Sequence, residues 1–136
     1  MNKEMIHRET AWDQKMHYSQ GVKIGPTIYV SGQVALDDDG HVIGPGDIAV
    51  QTRRALENIR AVLAKKGATM RDVVKVTSFL VQRAAGMVST YDSVFGEFFP
   101  SDCPASTLVE VKSLVLRDLL VEIEAIAVVG AGGDDA

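Results

Sequence analysis

The run Leu119-Leu-Val-Glu-Ile-Glu-Ala-Ile-Ala-Val-Val129 is apolar on both faces that a strand would present. Side chains of a strand alternate between its faces, so Val121, Ile123, Ala125 and Ala127 leave one side while Ile126 and Val128 leave the other. Such a strand needs cover on both sides, and the rest of the chain has to be read for what could supply it.

Cover for one side is easy to find. Ile48, Thr52, Ala55, Leu56, Ile59, Val62 and Leu63 fall at helical spacing, with Asp47 placed as the cap and Lys65, Lys66 and Gly67 suited to the C-terminal end. On that helix Arg53, Arg54, Glu57 and Arg60 are expected to form a solvated face. A second helix is predicted over Gly86 to Phe99, with Pro100 marking its end. The remaining strands are predicted over Tyr18–Ile24 and Thr27–Gln33, flanking the turn Gly25-Pro26, then over Val73–Val81 and Ser106–Lys112.

The predicted order is ββ-α-β-α-ββ, an α+β layer in which both helices cover one face of a mixed sheet. Nothing remains to cover the other face, so the pattern predicts a homo-oligomer. A single domain is expected over 1–129, with a flexible glycine-rich tail over 130–136. At 136 residues the chain is the size of one domain. Its net charge of −4 argues against a nucleic-acid partner. One cysteine, no apolar leader and no membrane-length apolar run point to a cytoplasmic protein with no membrane partner.

Candidates for chemistry are few. Glu122 and Glu124 lie two apart on the most apolar strand and leave the same face. A carboxylate among apolar neighbours has a raised pKa and suits acid–base work. For Glu124 that reading and a solvated or paired carboxylate both stand; for Glu122 the solvated reading is preferred. His7, His17 and His41 are scattered without ligand spacing and Cys103 has no partner thiol, so no metal is expected. Cys103 reads as a small semi-buried residue rather than a nucleophile. Ser31 and Gly32 form no nucleophile elbow, although the Ser31 hydroxyl could face a cleft. No phosphate-binding glycine loop is present.

Taken together, YSQGVKIGPTIYVSGQ (18–33), QTRRALENIRAVLAKKGA (51–68), DVVKVTSFL (72–80), YDSVFGEFFP (91–100) and LVEIEAIAVV (120–129) resemble the RidA/YjgF family, collinearly over almost all of 17–129. The resemblance implies a chorismate-mutase-like fold assembling as a trimeric barrel, with small ligands bound in clefts between subunits. It also implies hydrolysis of enamines and imines, such as 2-aminoacrylate, to a keto acid and ammonia without metal or cofactor. By the same resemblance Tyr18 lines the cleft, Ser31 and Gly32 form its wall, and Glu124 positions or activates water. The family's substrate-holding arginine falls at Ser106, followed by Thr107. A hydroxyl there makes one neutral hydrogen bond where a guanidinium would make two charge-assisted ones, about 2–4 kcal/mol less anchoring. Arg117 is the nearest arginine in sequence but lies in a connection between strands. Ser106 and Thr107 are therefore read as substrate-binding hydroxyls, and the substrate as a small molecule other than 2-aminoacrylate. A module that holds a metabolite in the same cleft without turnover is the alternative. The ribonuclease activity also associated with the family is disfavoured by the charge of −4. Trp12 reads as a structural anchor near the cleft.

Overall fold

The structure is a computed structural model that describes residues 1–133. One six-stranded sheet runs in the order β1-β2-β3-β6-β4-β5. Its strands are β1 (Lys3–Ile6), β2 (Gly21–Ile24), β3 (Thr27–Val34), β4 (Val73–Leu80), β5 (Ala105–Glu110) and β6 (Val121–Val128). Only β4 and β5 pair in parallel. The helices are α1 (Ala11–Lys15), α2 (Ile48–Ala64) and α3 (Met87–Phe98), with one 3-10 turn at Met70–Asp72. The α+β fold, with a mixed sheet and α2 and α3 packed together, agrees with the sequence reading.

Burial explains the arrangement. The α2 stripe Ala55, Leu56, Ile59, Val62 and Leu63 is wholly buried with Ile28 of β3, Val76 of β4 and Ile123 of β6. Asp47 caps α2 by accepting from the Val50 N–H at 3.1 Å. Tyr91, Phe95 and Phe99 stack along α3, with ring centroids 5.5 and 4.6 Å apart. The opposite face has no such cover. Tyr29 is 49% exposed, and every residue of β5 is exposed.

Four features depart from the expectation. The sheet gains an edge strand, β1, and α1 follows it; neither is foreseen by the pattern. The first turn of α1 carried a signal, since Thr10 precedes Asp13 by three residues and caps its N–H at 3.4 Å. Two of the four residues assigned to the solvated face of α2 instead reach α3. Arg53 donates to both oxygens of Glu97 at 2.9 and 3.1 Å, and Arg60 lies 4.8 Å over the Phe98 ring. Residues 130–133, expected in a flexible tail, are held: Gly132 N–H donates to Asp72 Oδ1 at 2.9 Å and Gly132 O accepts from Arg71 at 3.0 Å. The rest of that tail, 134–136, lies outside the described residues.

Gln51, fully buried on α2, ties the helix to the start of β6. Its amide donates to the carbonyls of Asp118 at 2.8 Å and Gly44 at 3.2 Å, and its oxygen accepts from the Leu120 N–H at 2.7 Å. Gln51→Leu leaves the buried Leu120 N–H without a partner, at a cost of about 1–3 kcal/mol. Urea denaturation should show a lower midpoint with an unchanged m-value; an unchanged midpoint would show that this tie contributes nothing.

Candidate functional site

The site is built where β3 pairs with β6. Their register shifts between the pairs Val30–Ala125 and Gln33–Ile123, so Ser31 and Gly32 form an irregularity opposite Glu124 in the middle of β6. Glu122 leaves β6 on the face away from the helices and lays its carboxyl over Gly32. A Cβ built at Gly32 would overlap that carboxylate and stand 2.8 Å from Glu122 Cδ and 3.0 Å from Cγ. Residue 32 must therefore be glycine for the carboxyl to lie there.

The Glu122 carboxyl faces a cavity of about 250 Å3. Tyr18 and Trp12 contribute aromatic walls, Met16 and Leu36 apolar ones, and Arg8 the one guanidinium of the lining. The N-terminal segment is fixed on this cavity by Asp13. Its carboxylate accepts from the Arg8 N–H at 2.7 Å, the Thr10 hydroxyl at 3.1 Å, the Tyr18 hydroxyl at 3.4 Å and the Gln20 amide. Gln33 Nε2 then donates to Gln20 Oε1 at 2.8 Å, which links this hub to the β3 irregularity. Burial pushes the Asp13 carboxyl upward, but the Arg8 N–H and the Gln20 and Thr10 donors outweigh it and hold the pKa below the usual value.

Glu122 moves the other way. Burial raises its pKa above the ordinary 4.5, and repulsion from Glu124 adds to the rise. No cation pairs with the carboxyl among the described residues, so nothing offsets that loss of water. Burial also raises the Tyr18 phenol, with the nearby Asp13 charge adding to it.

The sequence-derived candidates are thus divided. Tyr18 and Gly32 line the cavity. Ser31 does not: its hydroxyl donates to the Ser19 carbonyl at 2.6 Å and holds β3 against the chain leading into β2. Glu124 is exposed and outside the cavity lining, so of the two β6 glutamates it is Glu122, the residue that pattern alone assigned to solvent, that joins Asp37 and Asp38 in the lining. Ser106 and Thr107 sit on β5, two strands from β6, or about 10 Å away at ordinary strand spacing. They also leave opposite faces. Ser106 pairs with buried Val76 and lies on the α3 side, whereas Thr107 pairs with Thr77 and accepts from Lys75 Nζ at 2.7 Å. His17, whose place beside Tyr18 already allowed a pocket position, and Trp12, read as an anchor near the cleft, join the cavity lining with Arg8 and Asn58, which pattern did not single out for it. Cys103 is exposed elsewhere, its thiol donating to the Phe99 carbonyl at 3.3 Å. Asp37, Asp39 and His41 gather in one loop, where Asp37 accepts from the Asp39 and His41 N–H groups at 3.0 and 2.9 Å.

A layered α+β domain with a carboxyl-bearing cavity at a sheet irregularity is the class that fold and site define. Residues 8–129 match the family model described as endoribonuclease L-PSP. A RutC family protein of Pyrococcus abyssi is 42% identical over 127 residues, which cover 93% of this chain and 98% of that protein. The 3-aminoacrylate deaminase RutC of Acinetobacter baylyi is 36% identical over 127 residues, again 93% and 98% of the two chains. The solved structure of YyfA, a Rid-family protein from Yersinia pestis, superposes with a TM-score of 0.84 at 35% identity, covering 94% of this chain and all of that one. The chain belongs to the RidA/YjgF family.

The raised Glu122 pKa has a signed consequence. Stability associated with this group is fully present below pH 4.5 and is lost as pH rises through the higher folded-state value. Glu122→Gln should therefore be more stable than the parent at pH 7, with the difference vanishing near pH 4. Glu124→Gln should bring the Glu122 titration, followed by carboxyl-carbon NMR, back toward 4.5. A parent Glu122 that titrates at or below 4.5 refutes the assignment.

Proposed function

We propose that this protein is a hydrolytic enamine and imine deaminase that uses Glu122 as its acid–base group. The observation that carries the reading is the Glu122 carboxyl itself, set over Gly32 in a largely apolar cavity with a raised pKa. A carboxyl with a raised pKa holds a proton more readily than a solvated one, which suits proton transfer. Ionised Glu122 takes a proton from water as the water oxygen bonds to the imine carbon. The protonated form gives that proton to nitrogen as the C=N π bond opens to a carbinolamine. The carbinolamine hydroxyl proton then passes through Glu122 to nitrogen as the C–N bond breaks and C=O forms. The balance is one imine and one water in, one carbonyl compound and one ammonia out. No step calls for a metal or redox partner.

Two further features support this reading. Among the relatives, the RutC protein of Acinetobacter baylyi bears the name 3-aminoacrylate deaminase. In one chain Ser106 and Thr107 cannot reach the cavity across β4 and β6, and β5 is an edge strand that pairs only with β4 and is exposed along its length. A second copy that brings its β5 to the open cavity would complete the site, as in the trimer expected of the family. Because β5 presents hydroxyls and no guanidinium, the preferred substrate is a small enamine or imine other than 2-aminoacrylate.

Ammonia release from a panel of small enamines and imines, generated in situ, tests the mechanism. Glu122→Gln should lower kcat by about 100-fold or more, in the range of lost acid–base catalysis, with KM little changed. Glu124→Gln should retain most of the activity. Turnover that survives Glu122→Gln, or a greater loss with Glu124→Gln, overturns the assignment. Tight ligand binding with no turnover across the panel favours the alternative, a binding module that uses the same cavity. Light scattering should give three times the 14.7 kDa chain mass; a monomer would leave Ser106 and Thr107 outside any site.

A further inference from the structure

We propose that Arg8 is the carboxylate-binding residue of this cavity, replacing from the N-terminal segment the cation that β5 lacks. The proposal rests on the reading of the cavity as the substrate site and names the class of substrate that it selects. That class is a 2-imino or enamino acid with an apolar body.

Arg8 follows β1 directly, and its backbone is pinned by the 2.7 Å hydrogen bond from its N–H to Asp13. Asp13 is already served by backbone, hydroxyl and amide donors, so it makes no demand on the guanidinium. The Arg8 side chain is only 15% exposed, yet its guanidinium makes no hydrogen bond among the described residues. Its nearest carboxylate oxygen is Asp38 Oδ1 at 3.8 Å, beyond hydrogen-bond reach. Asp38 is itself 75% exposed and lies 4.0 Å from Arg54 as well, so it is a weak and shared partner.

A guanidinium carries five donors in a planar fork that matches a carboxylate. With those donors unused among the described residues, it favours a ligand that supplies a bidentate acceptor. Trp12, Met16 and Leu36 share the cavity and suit the apolar body of such a ligand. Glu122 lines it too, with Asp37 and Asp38, so an acid group on Arg8 leaves the imine carbon in the same cavity as the acid–base carboxyl.

A purely structural alternative would have Arg8 only tether the N-terminal segment to Asp38. Calorimetric titration of the full chain separates the two, using 4-methyl-2-oxopentanoate and its methyl ester as probes of the product acid and its uncharged counterpart. Arg8→Gln should weaken the acid by about 10- to 100-fold and leave the ester unchanged. Arg8→Lys should recover part of the acid's affinity, because it restores charge without the fork. Asp38→Asn should leave the acid's affinity intact or raise it. Equal binding of the acid by parent and Arg8→Gln, a parallel loss of acid and ester, or a loss in Asp38→Asn matching that in Arg8→Gln overturns the proposal. So does failure of the parent to bind the acid at millimolar concentration. If Arg8→Gln does not fold, the acid-to-ester affinity ratio in Arg8→Lys decides: a lower ratio supports the fork and an unchanged one refutes it. Because the readout is binding, failure of the deaminase mechanism leaves this result independent.

Discussion

The Glu122 carboxyl occupies its position because residue 32 has no side chain. The β3–β6 register slips at Ser31 and Gly32, and the gap left on the sheet face is filled by a carboxyl in place of a Cβ. Much else is arranged around that substitution. Gln33, next along β3, carries the hydrogen bond to Gln20, and Gln20 in turn reaches Asp13 and the N-terminal segment. The same irregularity that admits the carboxyl thus also anchors the walls that shut water away from it. The desolvation that raises the pKa of Glu122 is the energetic cost of this construction.

Most of the fold was legible because its information is local. The α2 stripe, its Asp47 cap, the Gly25-Pro26 turn and the β-branched strands each declare themselves within a few residues. The site was less legible because its information is not local. Glu122 and Glu124 share a strand and a face, so alternation cannot choose between them. What separates them is a register slip on β3 and a segment more than a hundred residues away in sequence. Arg117 was the arginine close to Ser106 in sequence, whereas Arg8 is the one the fold brings to the cavity. Ser106 and Thr107 show a second limit. Adjacency in sequence suggests a shared pocket, but on a strand it sends neighbouring side chains to opposite faces. The N-terminal segment escaped because β1 and α1 are each too short to show a period, although Thr10 and Asp13 carried a capping signal.

Gln51 illustrates the same limit for polar residues. It sits on the buried stripe of α2, where pattern alone sees an interruption, yet it satisfies the backbone at the entry to β6. The strand that bears Glu122 is therefore positioned from two directions: by the ladder with β3 and β4, and by a side chain from the helix above. A carboxyl whose chemistry depends on its surroundings gains from a strand that cannot shift.

Trp12 offers one further consequence. It is the only tryptophan in the chain, and it lines the cavity beside Arg8 and Glu122. Excitation at the red edge of protein absorption therefore reports on a single place in the molecule, the wall a ligand would touch. Quenching or a spectral shift of that emission reads occupancy without any label, and the arrangement makes the site its own optical probe.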